Sequence, residues 1–298
     1  MVSRNIQDSP HNGSLAGEGI LVTGCSSGIG RATAIHLAQQ GFTVFATVRK
    51  QDDVEALQRL NEPNLVPTYP LDLAKPEHIP RVVEFVTQEL SLRGKQGLYA
   101  IVNNAGGSFI APVELTDLDK FRTELETRIL GPMALLQALL PMIRQAQGRV
   151  AWIATPALIP VPYVSSIHAC DFAVNCIVRT LRIELAPWGI PITLIRCGGI
   201  RTAATGENAP KPEVDLKKRW PAERFELYSQ ALARQLRQFA DFDAKRTEPE
   251  EVAKVVYAAL SARKPRQSYA VGHMARTAGV LEILPHSIAD WIIARRST

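Results

Sequence analysis

No apolar run in this chain approaches the roughly 20 residues that a membrane-spanning helix needs, and no Lys/Arg block is dense enough to track a nucleic-acid backbone. A transmembrane segment and a nucleic-acid partner are therefore not expected, and the net charge of +5, with a pI near 9.1, reads as anion binding plus solvated surface. The chain has only four cysteines, Cys25, Cys170, Cys176 and Cys197, and they lack zinc or redox spacing. That scatter predicts no metal site and a reducing, cytoplasmic setting. Neither an internal repeat nor an interdomain linker is visible. One domain over 19–298 is expected, after a polar tail at 1–18 that does not read as a secretory leader.

What is present is organised around Ile20-Leu21-Val22-Thr23-Gly24-Cys25-Ser26-Ser27-Gly28-Ile29-Gly30. A short apolar run breaks into a Gly/Ser turn, and apolar residues then recur at helical spacing at 29, 32, 35 and 38 before Gly41. Strand, glycine turn and helix in this order form a dinucleotide-binding context. Glycines allow the backbone close to a pyrophosphate, and the helix N-terminus offers free N–H groups with partial positive charge.

Thr43 to Val48 reads as a second strand. An acid at its end would bind a ribose 2′-hydroxyl, whereas a basic residue accommodates a 2′-phosphate. Val48 stands where the acid would be and Arg49 follows it, so NADP(H) is expected over NAD(H). Further strands are predicted at Leu65–Leu71, Leu98–Val102, Arg149–Ile153, Pro191–Ile195 and Ser268–Val271. Helices are predicted around 82–86, over 117–145, from Ser166 to Leu185 and from Ala222 to Phe242. Thr247 is a candidate N-cap of one more, with Glu250 completing a capping box and Pro249 in the first turn. This alternation predicts an α/β doubly wound parallel sheet with helices on both faces.

Three motifs, Thr23 to Gly30, Asp72 and Asn103-Asn104-Ala105-Gly106, resemble the classical short-chain dehydrogenase/reductase pattern. The block Arg182-Ile183-Glu184-Leu185-Ala186-Pro187-Trp188-Gly189-Ile190 is similar to hydroxysteroid- and retinol-dehydrogenase-like members, and the likeness covers about residues 18–285. It implies a Rossmann-like sheet of about seven strands that binds a nicotinamide cofactor. Carried over, Gly24, Ser26, Ser27, Gly28 and Ile29 line the pyrophosphate, and Asp72 and Leu73 sit by the adenine. Asn104, Ala105 and Gly106 lie by the nicotinamide ribose, and Thr202 touches the cofactor amide. The likeness also implies a dimer or tetramer, and a substrate lid over 199–247.

The catalytic tetrad does not carry over. The family uses a Tyr and a Lys at i and i+4, a Ser that orients the carbonyl, and an Asn that anchors a water relay. Aligned from the Arg182 block and from Leu130-Gly131-Pro132, these positions hold Ile167, Asp171, Thr155 (or Ala154) and Arg128. The six tyrosines, at 69, 99, 163, 228, 257 and 269, are followed four residues later by Leu, Asn, Ile, Leu, Ser and His. The Tyr–Lys pair therefore occurs nowhere in the chain. Arg128 and Asp171 are expected to form an ion pair, since a lone charge buried there is costly. The remaining acid/base candidates are Thr155, Tyr163 on its Pro-flanked loop, and His168, which lies one residue from the Tyr slot and so about 100° around the helix.

Three functions are compatible with this pattern. The first is an NADP(H)-binding member performing redox-neutral chemistry on, or simply binding, a bulky apolar molecule. The second is an oxidoreductase with an improvised acid, and the third is a non-catalytic partner subunit. The tail 275–298, ending in Arg295-Arg296, suits a pocket-closing helix, a dimer contact or attachment to a membrane surface.

Overall fold

The computed structural model describes residues 15–107, 109–156, 158–202 and 211–297. Most of the expected N-terminal tail, and Gly206 and Pro210 of the irregular stretch, lie outside them. The chain begins β1 (Gly19–Val22), α1 (Gly28–Gln39), β2 (Thr43–Ala46), α2 (Gln51–Gln58), β3 (Leu65–Pro67), α3 (Ile79–Leu92) and β4 (Ala100–Asn103). It continues with α4 (Leu118–Leu125), a π-helical turn (Glu126–Leu130), α5 (Gly131–Gln145), β5 (Arg149–Ala154), α6 (Ser165–Glu184) and β6 (Ile192–Cys197). The last elements are α7 (Pro212–Arg219), α8 (Ala222–Asp243), α9 (Pro249–Ser261), β7 (Ser268–Val271), α10 (Ala275–Glu282) and α11 (His286–Ser297).

The strands form one seven-stranded sheet in the order β3-β2-β1-β4-β5-β6-β7, every pair parallel. Parallel strands covered on both faces must be apolar at consecutive positions, and β1, β2 and β4 are buried throughout. Their alternation sorts the core into two layers. Ile20, Val22, Val44, Ala46, Ala100 and Val102 pack with α1, α2 and α9, while Leu21, Phe45, Ile101, Val150 and Trp152 pack with α3, α5 and α6. The chain winds outward in opposite directions from β1 and β4, so their C-terminal ends open a crevice at the switch point.

Several expectations need correction. The third strand ends at Pro67, not Leu71: Thr68 N–H still reaches Ala46 O, but Pro70, next in line to donate to β2, has no N–H, and Leu71 makes the bond to Val48 O instead. The long helix over 117–145 is divided by the π turn that carries Arg128. Thr247 does not cap α9. Its N–H donates to Gly199 O and its carbonyl accepts from Arg201 N, so it is spent on a bridge, and Glu248 is the N-cap residue without a side-chain cap bond. Pro249 does occupy the first turn.

Within the stretch 199–247, expected as a lid, α7 and α8 bury Leu216, Phe225 and Leu232 against Ala111 and Leu115. Trp220 Nε1 donates to Leu115 O at 2.9 Å and Tyr228 OH to Glu114 Oε2 at 2.7 Å. No helix among the described residues is long and apolar enough to cross a membrane.

Candidate functional site

The crevice is a cavity of about 410 Å³ floored by the glycine turn. Gly24 has φ +74°, and a side chain there would press within 2.9 Å of Ala105 Cα. Gly30 approaches more closely still, since a Cβ would meet Gly24 O at 2.1 Å. Thr23 Oγ1 accepts the N–H groups of Asn104 (2.9 Å) and Ala105 (3.0 Å), and Asn104 Nδ2 donates to Thr23 O (2.9 Å) and Gly24 O (3.3 Å). Asn104 thus spends its amide on holding the turn.

Ser27 is the N-cap of α1, yet its hydroxyl makes no cap bond. The first-turn N–H groups of a helix have no intrahelical partner and therefore face the cavity as anion donors. Gly24, Ser26, Ser27, Gly28, Ile29, Arg49, Leu73, Asn104, Ala105, Gly106 and Thr202 all line the cavity. Donors at one end, a close-approach glycine floor and a basic residue at the tip of β2 fit a dinucleotide phosphate. Asp72 is the exception. Its Oδ1 accepts Ala74 N–H at 3.1 Å, so the carboxylate caps its own turn outside the cavity lining.

Thr155, Ile167, Asp171 and Arg128 line the same cavity. Arg128 Nη1 lies 3.6 Å from Asp171 Oδ1, with the two side chains 18% and 2% exposed, which meets the expected pairing. Arg128 Nε also donates to Glu124 Oε2 at 2.8 Å, and its guanidinium bonds Gly107 O. Asp171 Oδ2 accepts the N–H of Thr155 at 2.8 Å. One carboxylate therefore ties α6 to the end of β5 and to the π turn. Glu124 was not singled out in the sequence, although a Glu four residues before an Arg is the pairing signal for a helix.

Tyr163 and His168 do not line the cavity. Tyr163 has φ +68°, its carbonyl accepts Ala111 N–H at 2.8 Å, and its ring packs with the Leu115–Phe225–Leu232 cluster under α8. His168 is partly buried beside Asp171 and Arg128, and its Nδ1 has no hydrogen-bond partner among the described residues. Burial pushes its pKa below the usual imidazole range; Asp171 opposes that shift and Arg128 adds to it. The neighbouring Cys170 thiol is pushed up to about 11 by burial, which keeps it protonated and inert at neutral pH.

Residues 18–213 match the family model of short chain dehydrogenases. The chain is 31% identical to mouse retinol dehydrogenase 5, over 93% of this chain and 89% of that one. It is 30% identical to sheep 11-beta-hydroxysteroid dehydrogenase type 2, over 87% of this chain and 62% of that one. For the human counterpart of the latter the match spans 46% of its length, so the chain covers only part of these steroid enzymes. Among solved structures, a short-chain dehydrogenase from Streptomyces avermitilis superposes with a TM-score of 0.75 at 26% identity, covering 95% of this chain and 99% of that one. The L-sorbose reductase of Gluconobacter frateurii, solved with NADPH and L-sorbose, shares the fold at 24% identity, with a TM-score of 0.67, covering 86% of this chain and 94% of that one. The chain belongs to the short-chain dehydrogenase family, whose members bind NAD(P)(H).

Proposed function

We propose that this protein binds NADP(H) and does not work as an ordinary dehydrogenase, using its pocket instead for redox-neutral chemistry on, or binding of, a bulky apolar molecule. The observation that carries this reading is the lining of the catalytic end. Ile167 offers no proton where the family donates one, and Asp171 is committed to Thr155 and Arg128. When bound, the dihydronicotinamide supplies a hydride donor. The residues around it supply no aligned acid. Thr155 Oγ1, which has no partner among the described residues, can orient a carbonyl or hydroxyl oxygen.

NADP(H) is favoured over NAD(H) by Arg49 at the cavity edge and by Val48 in the position of the ribose-binding acid. Exposed Leu130 (52%) and Phe172 (44%), on adjoining helices, support self-association through the long-helix face. The four free cysteines accord with a reducing, cytoplasmic setting.

The test is incubation with NADPH or NADP⁺ and a panel of sterols, retinoids and other bulky alcohols and ketones. Nicotinamide absorbance is followed together with product mass. Isomerised, cyclised or dehydrated product, or bound but unchanged ligand, at constant cofactor absorbance supports the proposal. Stoichiometric oxidation of NADPH overturns it and supports the improvised-acid reductase, for which the dehydrogenase names of the relatives speak.

A further inference from the structure

We propose that Asp171 and Arg128 together bind the hydroxyl groups of the nicotinamide ribose, so that this protein holds that part of its cofactor by a carboxylate and a guanidinium. The inference rests on the NADP(H) reading above and concerns which residues of the chain make the contact.

The hydrogen-bonding groups that Asp171, Arg128 and Thr155 present to the cavity are not all spent. Asp171 Oδ2 is taken by Thr155 N–H. Oδ1 accepts no hydrogen bond among the described residues and stands 3.6 Å from Arg128 Nη1, too far for a direct bond. Arg128 spends Nε on Glu124 and its Nη2 edge on Gly107 O, which leaves the Nη1 hydrogens open. Thr155 Oγ1 is buried without a partner among the described residues. An open acceptor, open donors and an unspent hydroxyl thus border one cavity.

Leaving buried polar groups unpaired is costly, so the arrangement asks for a ligand that both donates and accepts. A hydroxyl fills that description. It donates to Asp171 Oδ1 and accepts from Arg128 Nη1, closing a gap that neither side chain closes alone. A sugar diol supplies two such groups. A carboxylate or phosphate does not, because it cannot donate to Asp171. Gly106 completes the fit. The Arg128 guanidinium packs so closely over it that a Cβ would sit 2.8 Å from Arg128 Cζ, so only a glycine here leaves the guanidinium its place in the cavity lining.

The test uses calorimetric titration with NADP⁺, with an NADP⁺ analogue deoxygenated on the nicotinamide ribose, and with adenosine 2′,5′-bisphosphate, which lacks the nicotinamide riboside. Each is titrated into the wild type, Asp171→Asn and Asp171→Ala. In the wild type the deoxy analogue binds at least about tenfold more weakly than NADP⁺. In the variants that ratio falls toward one, while affinity for the bisphosphate is unchanged and reports an intact fold. A ratio near one in the wild type, or one that survives in both variants, overturns the inference but leaves the cofactor reading standing. Wild-type binding of neither NADP⁺ nor the bisphosphate defeats both.

Discussion

Arg128 Nη1 and Asp171 Oδ1 lie 3.6 Å apart, and each side chain is anchored elsewhere as well, Arg128 to Glu124 and Asp171 to the Thr155 amide. The alignment expected from the sequence puts this pair at the Asn and Lys positions of the family, and both groups are structurally committed. Restoring the family residues should therefore damage the site. Ile167→Tyr with Asp171→Lys sets a second cation beside Arg128 and removes the acceptor of Thr155 N–H. The double variant should lose about 3 kcal/mol of stability in denaturant titration and gain no native turnover. A gain in NADPH-linked turnover counts for the redox reading.

Gly30 tests the cradle. A methyl group there meets Gly24 O at 2.1 Å, and backbone cannot yield as a flexible side chain can. Gly30→Ala should cost about 1–3 kcal/mol by overpacking. It should also reduce NADPH affinity beyond calorimetric detection, since the turn must move. Unchanged affinity would show that the close approach is not needed for binding.

His168 gives the pH dependence. Its folded pKa is lowered by burial, so between the folded and unfolded values the unfolded chain binds more protons. Its contribution to stability is fully present above the unfolded pKa of about 6.5 and is lost as pH falls toward the folded value. His36 is lowered by burial too and adds in the same direction. Stability should fall as pH drops below about 6.5, and His168→Gln should flatten that fall in part. An unaltered profile in the variant would place the dependence elsewhere.

Arg149 tests the sheet's lower edge. It is buried, its Nη1 donates to Leu260 O at 2.7 Å and Ala262 O at 2.9 Å, and its guanidinium lies 4.9 Å from the Tyr99 ring centre. It closes the C-terminal end of α9, where carbonyls lack helical partners. Arg149→Met should cost about 2–3 kcal/mol, read as an earlier unfolding midpoint, without changing nucleotide affinity.

Much of this architecture was legible because its causes are local. The apolar run before Thr23 and the helical spacing after Gly28 declare a strand and a helix, and the glycines between them have no role in either. Arg128 and Asp171 were legible as a pair because a lone charge buried there is costly and the two carry opposite signs. Glu124 was not, because a Glu on an amphipathic helix looks solvated until Gly107 is seen packed against it. Thr247 was not legible as anything but a cap, because only the tertiary fold shows its backbone pairing with the 199–201 segment and α9 beginning one residue later than expected.

The central claim is a working NADP(H) site beside a non-reducing pocket, and calorimetric titration of the purified protein with NADPH and with NADH tests it most directly. The account predicts micromolar NADPH binding, about −8 kcal/mol, with NADH much weaker because Arg49 has no 2′-phosphate to meet. Binding of neither nucleotide would contradict it, leaving the glycine turn as scaffold alone.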